Sequence, residues 1–352
     1  MNADSFDSLF SAAARAPSGD NTQPWRFILD RVRRRILVRV VPERDPSPMN
    51  AGQRMARIAC GAAVENLLIS ARACGWGLRV GDDSGDALAV IEIEKEGPIA
   101  ISPAGDIAAR VTNRRVYEGR PVPADVLERL GRVACPRPGT RLTWVGDRAR
   151  LGALAAVIGR ADTVMFGEHS MRQAFLHNIR FDADFAAEVE EGMSKASLEV
   201  SRPEIQGMNT VFRGPDWLFK LSGSRMMLGM HTRRLITSAS GLAVVTTADR
   251  SPGVDFEVGR VVERAWLALT AEKLAVQPMM SVAVLANALE NGSPELVARV
   301  RREGTEEILA EFRRRLSEIG GDHVGFILRF GYAPPPTGRT GRLPANKVAD
   351  VP

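Results

Sequence analysis

Apolar and polar residues alternate in "WRFILD" and again in "RILVRVV", which predicts two neighbouring strands. The basic "RVRRR" (31–35) between them reads as a solvated hairpin turn. Phe6 to Arg15 reads as a short helix ahead of this pair. From Cys60 to Leu78 the period changes: Val64, Leu67, Leu68, Ala71 and Cys74 recur at helical spacing, which predicts a core-facing helix. "LAVIEIE" (88–94) returns to alternation as a strand. The Pro/Gly-rich "KEGPIAISPAG" (95–105) is the expected boundary between a first unit, 1–105, and a second, 106–352.

The second unit opens with a loop and a helix entered through Pro123, with Asp125 in its first turn. A strand in "RLTWVG" and a helix to about Gly167 follow. Residues 170 to 235 are rich in Met and Arg, keep no single period, and read as an insertion. After them come a buried strand at Gly241–Thr247, an amphipathic helix over Gly259–Pro278, a solvated helical segment from "SPELVARV", and a strand in "VGFILRFGY" before a Pro-rich tail. "GAAVENLLISARACGWGL" from Gly61 and "GRVVERAWLALTAEKLAV" from Gly259 share the Gly, the Val-Glu pair and the apolar positions after it. A duplicated α+β unit would leave such a trace. Chance likeness of two amphipathic helices is the competing reading.

Composition changes this picture little. Of 352 residues, 45% are hydrophobic and 25% charged, ordinary values for a globular chain with a sizeable core. The net charge of +5 and only two Tyr do not describe an aromatic-laced nucleic-acid surface, although a mild basic excess suits an anionic ligand. Three cysteines, Cys60, Cys74 and Cys135, without CxxC spacing suit a reducing compartment. "MNADSFDSLF" has no basic or apolar leader character, and the longest uncharged run, 274–289, is too short to span a bilayer. The expectation is a cytoplasmic protein without nucleic-acid or membrane partners.

Most familiar catalytic patterns are missing from the sequence: P-loop, HExxH, GxSxG and EF-hand. "GWGLRVG" follows a helix rather than a strand, so it is no dinucleotide fingerprint. His169, His177, His231 and His323 have no ligand spacing, and the carboxylates of "FDADF" sit at i, i+2. Two polar stretches survive. "APSGDNTQPW" (16–25) sets hydroxyl and amide groups of Ser18, Asn21 and Gln23 beside Pro17 and an indole, equipped to bond something planar and polar. "RVTNRRVYEGRPVP" (110–123) concentrates Arg110, Arg114 and Arg115 with Thr112 and Asn113; arginine forks and hydroxyls suit a phosphate, while a solvated charged face is the bland alternative. "QPMMS" follows the second long helix, and its bland reading is a helix stop with Met filling gaps.

"ARAPSGDNTQPWRF" resembles the APSxxNxQPWxF signature of the nitroreductase-like flavoproteins, and "RVTNRRVYEGRPVP..VLERL" resembles their Arg-rich signature. In the short homodimeric members the Arg stretch comes first. Here the order is reversed over about ninety residues, as in the long, internally duplicated, Acg-like branch. The resemblance implies an α+β nitroreductase-like fold whose two related halves form an internal pseudo-dimer, with a lid inserted at 170–235. It implies FMN held by Arg110, Thr112, Arg114 and Arg115 around the phosphate, the register there being ambiguous by one residue. Pro17, Ser18, Asn21 and Gln23 would follow the flavin edge, Gln277, Pro278, Met279 and Met280 the ring, and Arg339 and Arg342 of "GRTGRLP" the phosphate again. The implied activity is hydride transfer from NAD(P)H through FMN to a nitroaromatic, quinone or similar acceptor, with no side chain serving as catalytic acid or base. A lid-covered flavin-sequestering protein and an FMN-dependent biosynthetic dehydrogenase are the competing readings. One flavin per chain is expected, in a protein competent as a monomer and able to dimerise.

Overall fold

The computed structural model describes residues 3–81, 85–97, 105–134, 137–185, 187–317 and 323–351, and for residues 3–5 their backbone only. Cys135 and positions 98–104 of the expected boundary lie outside them. Nine strands are described: β1 (Trp25–Asp30), β2 (Arg35–Val40), β3 (Gly77–Val80), β4 (Ala89–Lys95), β5 (Thr140–Val145), β6 (Gly241–Thr247), β7 (Ala275–Pro278), β8 (His323–Gly331) and β9 (Ala349–Asp350). The helices of the first part are α1 (Ala3–Ala14) and α2 (Arg54–Ala73). Then come α3 (Gly105–Ala109), α4 (Ala124–Ala134), α5 (Arg148–Gly167), α6 (His169–His177), α7 (Arg202–Arg213), α8 (Asp216–Leu221) and α9 (Ser224–Thr237). The last five are α10 (Pro252–Ala271), α11 (Ser281–Asn291), α12 (Pro294–Arg302), α13 (Thr305–Ser317) and α14 (Ala345–Val348). The fold is thus α+β.

The strands form two sheets, ordered β3-β4-β2-β1-β9 and β5-β6-β8-β7. The β1–β2 hairpin has the expected register, Trp25 opposite Val40 and Asp30 opposite Arg35, and Arg34 supplies the left-handed residue of its turn. Two elements differ from expectation. The first long helix stops at Ala73 because Gly75 is left-handed (φ 76°), and residues 77–80 form an edge strand. The second stops at Ala271; Lys273, at φ 57°, turns the chain and frees 275–278 to pair with β8. The Pro-rich tail does not end the fold either: it returns to the first sheet, where Ala349 and Asp350 pair in parallel with Phe27 and Ile28.

The helices α2 and α10 cross between the sheets at Gly61 and Gly259. A Cβ on Gly61 would lie 1.9 Å from the Phe256 carbonyl oxygen, and one on Gly259 would lie 1.8 Å from that of Ile58. Each glycine therefore faces the residue three places before the other, a reciprocal contact of the kind a two-fold relation produces. Buried ion pairs tie the crossing: Arg54 and Arg57 to Asp255 at 2.9 and 2.7 Å, and Arg260 and Arg264 to Glu65 at 2.9 and 2.5 Å.

The 170–235 segment folds as α6 to α9 around its own apolar cluster of Leu176, Ile205, Phe212 and Phe219. It is no detached flap. α9 lies against α5 where Gly159 and Gly229 meet, close enough that a Cβ on Gly159 would sit 2.7 Å from the Gly229 oxygen.

Candidate functional site

A cavity of about 960 Å³ lies on one face of the α2–α10 crossing, within the size range of small-molecule and cofactor sites. Ile58, Ala59 and Ala62 of α2 and Val262 and Trp266 of α10 line it; α9 reaches it through Leu228, Thr232 and Leu235. Both polar stretches singled out in the sequence reach this one cavity, although ninety residues of chain separate them.

The first stretch is a strained turn. Asp20, Asn21 and Gln23 all have left-handed backbones (φ 46°, 60° and 52°), an arrangement that persists only where surroundings over-determine it. Those surroundings are hydrogen bonds. The Gln23 amide donates to Ser18 Oγ at 3.0 Å. Asn21 Nδ2 donates to the Gly192 and Gly341 carbonyls at 3.0 and 3.3 Å. Gln23 Nε2 donates to Glu190 O at 2.7 Å, and its Oε1 accepts from the Leu343 amide at 2.9 Å. Pro17, Ser18 and Asn21 line the cavity; Gln23 stays behind them, fully buried, as the knot joining this loop, the 188–193 strand of chain and the tail.

The second stretch is positioned by β7. Thr112 bridges to Val276 in parallel, and the Asn113 amide donates to the Val276 carbonyl at 2.8 Å. Extended backbone sends alternate side chains to opposite sides. From Thr112 on, Thr112 and Arg114 line the cavity while Asn113 and Arg115 do not; Arg110 and Val111, just ahead of the bridge, line it as well. Asn113 Nδ2 donates to Pro334 O at 2.8 Å, and Arg115 pairs with Glu199 at 3.3 Å and donates to Thr337. Arg114 reaches across to the inserted segment and donates to Ser197 O at 2.7 Å. Gln277, Pro278, Met279 and Met280 all line the cavity, with Gln277 accepting from Arg329 Nε at 2.7 Å.

Four arginines gather at one end. Arg110 is buried over the Trp266 ring, 3.2 Å from Glu263. Arg339 donates to the carbonyls of Ala108 and Arg110 at 2.7 and 3.3 Å. Burial pushes the Arg342 guanidinium down to about 9; the charges of Arg110, Arg15 and Arg339 add to this, and Glu263 alone opposes it. Burial likewise lowers Arg110 and raises Glu263 to about 7, the nearby Arg110 holding the carboxyl below where burial would take it. Asn21 Oδ1 and Arg342 Nε are buried without a hydrogen-bond partner among the described residues. That end of the cavity has the donors and positive charge that a phosphate requires.

Carboxyls lie elsewhere along the wall. Burial raises Asp20 to about 6 and Asp45, next to it, to about 7; Asn178 and Arg114 counter the first, and the Ser47 amide and Thr22 the second. Asp162 of α5, bonded by Thr232 and Ser281, is raised to about 6 by burial alone. Sequence reasoning missed Asp162, Arg15 and the Ala59–Ala62 floor. Arg15 directly precedes the first stretch and was legible there; the alanines and Asp162 carry no local pattern.

No family model matches the chain. It is 25% identical over 339 residues, 93% of its length, to the uncharacterized protein MT1398 of Mycobacterium tuberculosis, covering 45% of that protein. It is 29% identical over 162 residues, 44% of its length, to the "Putative NAD(P)H nitroreductase Rv3131" of the same species, covering 46% of it. The chain thus spans under half the length of these curated relatives. Among solved structures it is similar to a Bacteroides fragilis nitroreductase with bound FMN (15% identity, 65% of this chain and 87% of that one, TM-score 0.32). It is also similar to a Mycobacterium smegmatis FMN-dependent nitroreductase in complex with NADPH (16% identity, 65% and 86%, TM-score 0.34).

Proposed function

We propose that the cavity holds FMN and that the chain is an NAD(P)H-dependent oxidoreductase of the nitroreductase class, built as an internal pseudo-dimer with one flavin. The observation that carries this reading is the cluster of Arg15, Arg110, Arg339 and Arg342 with Glu263 as its one carboxylate, at the end of a cavity that both signature stretches line. Arg110, Arg339 and Arg342 would hold the phosphate, Thr112 and Arg114 the ribityl chain, and Pro17, Ser18 and Asn21 the ring edge opposite Gln277–Met280. The small side chains of Ala59 and Ala62 leave the floor open to a flat ring. Bound FMN supplies two-electron transfer between NAD(P)H and a quinone, nitroaromatic or similar acceptor. The chain's own part is to orient it, to neutralise its phosphate, and to exclude water with Met165, Phe166, Phe212 and Leu228. Sequestration of the flavin without turnover is the second reading, favoured by the bonds through which Asn21 and Gln23 hold the 190–192 segment over the site.

The purified protein should be yellow, bleach with NADPH, and recover its colour on adding a quinone; a yellow protein inert to both favours sequestration, and a colourless one that binds no added FMN overturns both. Arg342→Ala should weaken FMN binding by roughly 1.5–3 kcal/mol, the loss of a charge-assisted bond. Arg34→Ala, whose guanidinium pairs with Glu96 at 3.1 Å in the surface hairpin, should leave it unchanged. Equal affinities would remove the arginine cluster from the site.

A further inference from the structure

The outer surface of α8 and α9 is apolar where a solvated helix is ordinarily polar. Trp217, Leu221, Met226, Met227 and Met230 are between 62% and 79% exposed. On α8, Trp217 and Leu221 stand one turn apart with Lys220 beside them, while Phe219 is buried on the opposite side. On α9, Met226, Met227 and Met230 share one face with Arg233 and Arg234, and Thr232, Leu235 and Ile236 occupy the buried face. A concentration of this kind marks an interaction surface rather than scattered surface hydrophobics.

Charge selects the partner. Residues 217–237 contain no Asp or Glu. Arg225 pairs with Glu303 at 2.6 Å, but Lys220, Arg233 and Arg234 have no carboxylate partner among the described residues. A two-fold contact with a second copy would set these three cations against their own equivalents. An acidic lipid surface would instead satisfy them, while Trp, Leu and Met entered the boundary between headgroups and acyl chains. We propose that the α8–α9 face docks this protein onto anionic membranes. This departs from the sequence-based expectation of no membrane partner. It is a peripheral contact: among the described residues no helix is long and apolar enough to cross a bilayer. The cavity's cover and the docking face are two sides of α9, since Leu228, Thr232 and Leu235 line the cavity from within.

The test is flotation of the full chain with vesicles of phosphatidylcholine alone or mixed with phosphatidylglycerol, in low and high salt. Binding is expected to the mixed vesicles and to weaken as salt rises. Lys220→Gln, Arg233→Gln and Arg234→Gln should each lower partitioning about five-fold, and the pair Met226→Ser with Met230→Ser should abolish it. Trp217 is the exposed one of five tryptophans. Its emission should therefore shift to the blue and be quenched by brominated lipid in the unmodified protein, a readout independent of whether any variant folds. No flotation of the wild type, no lipid quenching, or equal flotation of the Met variants would overturn the proposal. A concentration-dependent dimer, dissolved by those Met variants and indifferent to vesicles, would overturn it in favour of a second copy.

Discussion

The two faces of the α2–α10 crossing share the reciprocal approach of Gly61 and Gly259 and carry opposite contents. Pairing Gly61 with Gly259 sets Ala59 opposite Glu257, Ala62 opposite Arg260, Trp266 opposite Leu68, and Glu263 opposite Glu65. On the first face, two alanines leave the floor of the 960 Å³ cavity open. On the second, Arg260 bonds Glu65 and Glu257 at 2.9 and 3.0 Å, and Arg137 bonds Glu257 at 2.6 Å. The same contrast appears in the two buried glutamates. Glu65 meets two arginines of the neighbouring helix, whereas Glu263 meets Arg110 from the signature loop. One carboxylate ties helix to helix; the other holds an arginine that lines the cavity. Side-chain volume and charge, rather than backbone, decide which face can hold a molecule.

The largest way to break the comparison is at its centre. Gly259→Ala and Gly61→Ala each drive a methyl into a carbonyl oxygen that cannot move without its helix. Either should cost more than about 3 kcal/mol, read as a lower melting temperature, and should damage both faces together. Next in size is Arg260→Ala, which leaves Glu65 with Arg264 and Glu257 with Arg137 as the one remaining arginine of each; a loss of about 3 kcal/mol is expected. Because Arg260 lies on the filled face and does not line the cavity, flavin affinity should stay within two-fold of wild type. A fall in affinity comparable to that of Arg342→Ala would mean that the two faces are not independent.

The smallest effect sharpens the open face. Asp162 is raised from its ordinary 3.8 to about 6 by burial. Between those values the folded chain keeps a proton that the unfolded chain has released, so stability falls as pH rises through the window and is level above it. Asp162→Asn keeps the Thr232 bond and never ionises. The variant should match wild type near pH 3 and exceed it at pH 8, measured by denaturant unfolding without flavin. Equal stability at both pH values would mean that water or a counter-charge already compensates Asp162.

Local pattern carried much of the fold. The β1–β2 hairpin, β6, α5 and the entry of α4 at Pro123 were legible because each is bounded by its own turn or cap residues. β3 and β7 were not: both are four residues long and continue the apolar spacing of the helix before them, so only a left-handed residue marks the break. In the site, Arg110, Thr112 and Arg114 were named with Asn113 and Arg115, and the sequence left the register open. The Thr112–Val276 bridge separates the two sets by side of the strand. Gln23 was read as facing a ligand, but its amide is spent on Glu190 and Leu343, partners more than 160 positions distant that no local pattern announces.

The return of the tail to β1 has a consequence for how the molecule is made. Residues 339–350 supply Arg339 and Arg342 to the cavity, then cover the open edge of β1 through Ala349 and Asp350. A ribosome delivers β1 to β4 first, and until those residues emerge the β1 edge offers unpaired backbone groups to any neighbouring nascent chain. The cavity, too, lacks Arg339 and Arg342, two of the four arginines gathered at one end, over that whole interval. Closure of the sheet and completion of the arginine-lined end of the cavity therefore come together, once residues 339–350 have been made, and a ligand that fastened this segment would also keep the β1 edge covered.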